Sequence, residues 1–109
     1  MKHGFKANHF TDSDGNPTGG TTHGTGFTIG WQNGPLGRGD NRVEPNGAFV
    51  EDVIDGARER IEFYQTACGG KFNCETNARA IFHLNAAMAA LDERTSEREG
   101  REVEGLHEA

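Results

Sequence analysis

Glycine divides this chain. Before residue 48 the sequence is punctuated by DSDGNP, TGG, HGTG, QNGPLGRG and EPNG; beyond it glycine thins out and alanine clusters. Glycine frees the backbone, and inside a helix it costs roughly 1 kcal/mol relative to alanine. The first 47 residues can therefore hold only short extended segments between loops. From Thr25 to Gln32, Phe27, Ile29 and Trp31 alternate with Thr28, Gly30 and Gln32, the period of a strand with one buried face. Asn33-Gly34 follows directly, a favoured hairpin pair. An earlier strand is expected over Phe5–Thr11, with DSDGNPTGG as its connection. Residues 1–47 thus read as a small antiparallel sheet with long glycine-rich loops.

The remainder reads as two long helices. The first is expected from about Ala48 to Ala67, capped by Asn46 or Gly47, with Glu51 and Asp52 at its positive end and Gly69-Gly70 as its stop. Its apolar stripe is Phe49, Val53, Ala57, Ile61 and Tyr64, widened by Val50 and Ile54. The second is expected from about Cys74 to Glu99, with Ile81, Leu84, Met88 and Leu91 as its stripe. Ala80, Ala86, Ala87, Ala89 and Ala90 permit close approach of a partner helix. The expected fold class is α+β: one domain over residues 1–109, β-rich over 1–47 and two-helical over 48–105.

Only 33% of the 109 residues are hydrophobic, and mean hydropathy is −0.75. A core this lean beside two long helices predicts that apolar surface is buried against a second copy, through the helices, in an oligomer of even order. The net charge is −6. Residues 1–50 are balanced, so the whole excess falls on residues 51–109. Nucleic-acid binding needs a basic surface, and none is offered. No apolar run approaches the ~20 residues a membrane span requires. The start, MKHGFKANHF, lacks a signal-peptide core. A cytosolic protein with reduced Cys68 and Cys74 is expected.

Several constellations resolve to ordinary structure. The loop NGPLGRGDNR lacks the lysine and hydroxyl of a Walker motif and the βαβ unit of a dinucleotide fingerprint, although its backbone and Arg38 and Arg42 suit a phosphate. Asp12, Asp14 and Asn16 hint at a calcium loop, but Pro17 and His23 occupy the positions where glycine and the bidentate acid belong, so a turn is expected. The five histidines and two cysteines show no zinc-ligand spacing. No nucleophile–base set stands out, and no cofactor is implied.

The stretch from Phe72 to Arg101 is more telling. Phe72, Asn73 and Asn77 gather where the second helix begins. An exposed ring stacks on a base, an asparagine donates and accepts along a base or ribose edge, and a helix amino terminus favours anions. At the far end Arg94, Arg98 and Arg101 share one face beside Thr95, where Glu93, Glu97, Glu99 and Glu102 offer them ion pairs instead. Seventeen residues separate Asn77 from Arg94, roughly 25 Å of helix. One small ligand touches both only if the second helix lies antiparallel to its copy in another subunit.

The segments GFTIGWQNGPLGRGDNRVEPNGAFVEDVIDGARERIEFYQ and FNCETNARAIFHLNAAMAALDERTSEREGREVEG resemble a family of small phage proteins that counter Thoeris immunity. The likeness covers roughly residues 25–105 and rests on overall pattern. It implies a sponge: a protein that binds the TIR-made signal glycocyclic ADP-ribose in the host cytoplasm without cleaving it. In some members it implies separate pockets for CBASS cyclic di- or trinucleotides, in dimers or hexamers. Carried to this chain, Phe72 and Asn77 match the family's ligand-contacting aromatic and asparagine, and Arg94 and Arg98 match arginines late in the same helix. Arg42 matches an arginine tied to the trinucleotide pocket. A length difference near Gly69-Gly70 leaves Phe63 or Tyr64 as the alternative stacking residue. Arg38 and Arg42 then supply local positive charge to an otherwise acidic scavenger. Two other readings stand beside this one: a hydrolase that destroys the signal, and a module that blocks a host protein through its acidic helical face.

Overall fold

The computed structural model describes residues 2–37 and 39–100, with side chains up to residue 97. It is α+β: a three-stranded antiparallel sheet followed by two helices. The contacts divide it into a sheet unit, up to Phe49, and a helical unit, Val50–Glu97.

In the sheet unit, β1 (Lys6–Thr11), β2 (Pro17–Gly24) and β3 (Phe27–Trp31) lie in sequence order. The outer two follow the expected strands closely, but β2 corrects the sequence reading, which spent Pro17–Gly20 on a connection. Its glycines sit where neighbours approach. Gly20 is opposite His9 on one side and Trp31 on the other. A Cβ there would stand 2.2 Å from the Asn8 carbonyl oxygen, and its φ of 150° lies in the region that favours glycine. Period two then puts Phe27, Ile29 and Trp31 on one face with Thr22, and Lys6, Asn8, Thr21, His23 and Thr28 on the other. The Trp31 indole donates to the Thr22 hydroxyl at 2.7 Å, which fixes the ring against β2.

Asp12 closes the β1–β2 turn. Its carboxylate accepts from the backbone N–H groups of Asp14 (2.9 Å) and Asn16 (3.0 Å), the expected turn in place of a calcium loop.

Asn33-Gly34 does not make a hairpin. The Asn33 N–H donates to the Asn46 side-chain carbonyl at 2.7 Å, and the Asn33 carbonyl accepts from the Asn46 amide at 3.2 Å. Asn46 therefore does not cap the helix, as the sequence suggested; it ties both ends of a long loop together. Gln32 completes the tie by accepting from the Asn46 N–H at 2.9 Å. The returning chain adds a short parallel bridge between Trp31 and Ala48. A single 3-10 turn, Gly39–Asn41, lies within the loop.

In the helical unit, α1 (Val50–Gly70) starts two residues later than expected, with Glu51 and Asp52 in its first turn. Arg58 clamps its surface, meeting Asp55 at 2.6 Å and Glu62 at 2.7 Å. The Asp55 hydrogen bond leads in raising the Arg58 pKa above its ordinary value. Helical geometry fails at Ala67 (ψ 148°), Cys68 (φ 53°, ψ 41°) and Gly69 (φ 67°, ψ 23°). The stop thus falls where the glycine pair placed it. α2 (Glu75–Gly100) then runs back antiparallel. Gln65 near the end of α1 bonds the start of α2, while Glu51 shares a shallow hollow with Met88, Ala89, Asp92 and Thr95.

The α2 stripe of Ile81, Leu84, Met88 and Leu91 is half-buried as expected. The α1 stripe is corrected. Val53, Ile54 and Ile61 are half-buried, but Val50, Ala57 and Tyr64 are exposed, because Arg58, Glu62 and Gln65 occupy the neighbouring inward line. Among the described residues no hydrophobic side chain is fully buried, and Phe82 is 67% exposed. Two helices cover only one face of each other. No helix among the described residues is long and apolar enough to cross a membrane.

Candidate functional site

The tip of the helical hairpin is built around Gln65. Its Oε1 accepts from the backbone N–H of Cys74 at 3.0 Å, and its Nε2 donates to the Cys74 carbonyl at 3.1 Å. Cys74 is the cap of α2, since its carbonyl also accepts the first helical N–H, from Ala78 at 3.2 Å. Gln65 thus supplies from another helix the partner that a capping box supplies locally. Its backbone carbonyl accepts from the Asn73 side chain at 3.2 Å, and its Oε1 accepts again from Asn77 Nδ2 at 3.3 Å. Asn77 is half-buried beneath this clasp.

Exposed rings lie on α1 before Gln65 and in the connection before Cys74. Phe72 is 51% exposed, with the Lys71 ammonium 5.5 Å from its centroid. Tyr64 is 42% exposed. Phe63 and Tyr64 pack edge to face at 5.9 Å, and the Arg60 guanidinium lies 5.2 Å from one ring and 5.0 Å from the other. Arg60 also donates to the Tyr64 hydroxyl at 3.2 Å. Rings with a cation beside them match a stacked base carrying phosphate.

Cys74 adds a chemical handle. Its thiol lies 3.3 Å from the Thr76 hydroxyl, and that hydrogen bond, with backbone N–H groups of Asn77 and Thr76, pulls its pKa below the usual thiol value. Both cysteines are free and exposed. More thiolate at neutral pH means faster alkylation. Iodoacetamide at pH 7.5 is expected to label Cys74 faster in the unmutated protein than in Thr76→Val; equal rates in the two would refute this.

The structure brings some sequence-predicted site residues together and leaves others apart. Phe72 lies in the connection and Asn77 in the first turn of α2, at one end of the hairpin; Tyr64 lies on α1 next to Gln65. Arg94 is exposed near the other end of α2 and makes no ion pair among the described residues. The helix is unbroken between Asn77 and Arg94, so the separation of roughly 25 Å stands. Beside Arg94, Glu51, Met88, Ala89, Asp92 and Thr95 line a hollow of about 550 Å³. Arg42 belongs to the sheet unit, where its guanidinium donates to the Gly37 carbonyl at 3.4 Å. Arg38, Arg101 and the side chain of Arg98 lie outside the described residues. Among the described residues no three His, Cys, Asp or Glu side chains are grouped to hold a metal.

Sequence reasoning missed Arg60 and Gln65. Arg60 was findable, because positions three and four residues on carry Phe63 and Tyr64. Gln65 carries no local signal; its partners lie nine and twelve residues away across a turn.

No protein-family model matches the chain. A comparison with curated proteins finds Thoeris anti-defense 1 of Bacillus phage SBSphiJ7, 40% identical over 81 residues that make up 74% of this chain. The chain spans about half of that relative, 52% of its length. The matched stretch is long enough, and the identity high enough, to set the kinship: the chain belongs to the family of Thoeris anti-defense 1.

Proposed function

We propose that this protein is a phage anti-defence sponge. It acts in the host cytoplasm, binding glycocyclic ADP-ribose and releasing it unchanged. The observation that carries the reading is the hairpin tip, where Gln65 holds Asn77 at the amino end of α2 and Phe72 stands exposed in the connection just before it. Kinship to a phage protein named for Thoeris anti-defence supports it. The fully formed site lies between copies: Asn77 and Phe72 of one chain meet Arg94 and Arg98 of another, in a dimer or hexamer joined through the helices. The absence of any fully buried hydrophobic side chain among the described residues favours such an assembly. A second pocket class, for cyclic di- or trinucleotides, draws on Arg42. Neither nucleic acid nor membrane is a partner in this reading. Sequestration works by mass action: the sponge must outnumber the signal and hold it below the effector's threshold.

Isothermal titration with glycocyclic ADP-ribose, then with a cyclic trinucleotide, followed by heat release and chromatography, tests this. Tight binding and intact ligand are expected. Altered ligand would make the protein a hydrolase. No heat with either ligand would end the sponge reading and favour inhibition of a host protein.

A further inference from the structure

We infer that Gln65 is a positioning residue that fixes the polarity of Asn77 and so makes the site select its base. The inference rests on the sponge reading and deepens it. A carboxamide has one accepting end and one donating end, and turning it over exchanges them. Backbone groups have no such freedom: an N–H donates and a carbonyl accepts. Cys74 presents one of each to Gln65, at 3.0 and 3.1 Å, which leaves Gln65 a single orientation. Its Oε1 then faces Asn77 at 3.3 Å as an acceptor, and Asn77 must answer with Nδ2. The order Cys74 backbone, Gln65, Asn77 is a polarity relay. Turning Asn77 over would set two carbonyl oxygens against each other.

The remaining side of Asn77 offers Oδ1 and one N–H. Among the described residues Oδ1 accepts no hydrogen bond. An acceptor beside a donor complements adenine, whose exocyclic amine donates next to a ring nitrogen that accepts. Hypoxanthine replaces that amine with a carbonyl. An asparagine free to turn would fit hypoxanthine's N–H and carbonyl as well as it fits adenine; one held by Gln65 would not.

The test uses the full-length protein with glycocyclic ADP-ribose and with the form of it deaminated to hypoxanthine, titrated side by side. The unmutated protein is expected to prefer the adenine form by about 10-fold or more, the lower range for a bidentate base contact. Gln65→Leu should bring the ratio within about threefold while helical circular dichroism is kept. Gln65→Glu keeps an acceptor facing Asn77, so the ratio should survive while its added charge weakens both ligands alike. In Gln65→Leu, or in Gln65→Met should the leucine variant fail to fold, a merely structural Gln65 would move both affinities and leave the ratio, and that result overturns the inference. So does an unmutated protein that binds both forms equally, or a ratio lost in Gln65→Glu. Binding of neither form by the unmutated protein would bring down the sponge reading, and this inference with it.

Discussion

Gly20→Val is expected to dissolve the three-stranded sheet while the helical hairpin keeps its far-ultraviolet signal. The added side chain begins 2.2 Å from a backbone oxygen of β1 and sits at φ 150°, so β1 must leave or β2 must twist away. Steric overlap and backbone strain each cost about 1–3 kcal/mol, a large share of what a small sheet has. The sole tryptophan, Trp31, lies directly opposite Gly20 and reports the loss by fluorescence. Gly30→Ala is the control: a Cβ there meets nothing within 4 Å. Equal melting of the two variants would refute the close approach.

The second large effect is complementation. Asn77→Ala and Arg94→Ala are each expected to lower affinity for glycocyclic ADP-ribose about 10- to 100-fold, as loss of a desolvated or charge-assisted hydrogen bond does. Mixed, unfolded together and refolded, the two variants should regain about a quarter of the sites at full affinity. In a two-fold dimer half of the random pairs are mixed, and each mixed pair restores one site of two. No single chain can do this, because the two residues sit on one unbroken helix. If the mixture binds no better than its components, the site does not cross between copies. A site complete within one chain would also fail to recover.

What could be read from the sequence was periodic or local. Ile81, Leu84, Met88 and Leu91 recur on one face of α2, and the helix lies where they put it. Phe27, Ile29 and Trp31 gave β3 by simple alternation. β2 was illegible because half of its signal is the absence of side chains. Gly19 and Gly20 look like loop punctuation until the neighbouring backbone shows why nothing larger fits. Asn33-Gly34 misled for the opposite reason: its local turn preference is real, but Asn46 claims both backbone groups of Asn33 from thirteen residues away. At the tip, Phe72 and Asn77 were visible as residue types that handle bases. The residue that orients Asn77 was not, since a glutamine gains that role only once the turn has folded it over Cys74.

The connection from Ala67 to Asn73 hangs from α1 by little more than Gln65, which takes the hydrogen bonds of Asn73, Cys74 and Asn77 together. Cys68 spends a β-carbon in a left-handed conformation that glycine would adopt at no steric cost. Such a span is a place where descendants of one gene can differ in length. The span itself is closed by the Lys71 N–H on the Cys68 carbonyl at 3.3 Å and the Asn73 N–H on the Gly70 carbonyl at 3.0 Å, so residues gained or lost there are expected to shift Phe72 while the bonds from Gln65 to Cys74 and Asn77 hold. If the sponge proposed above is what this chain is, a change of length there would move the stacking ring while Asn77 keeps its station, and the range of signals captured would drift faster than the scaffold that captures them.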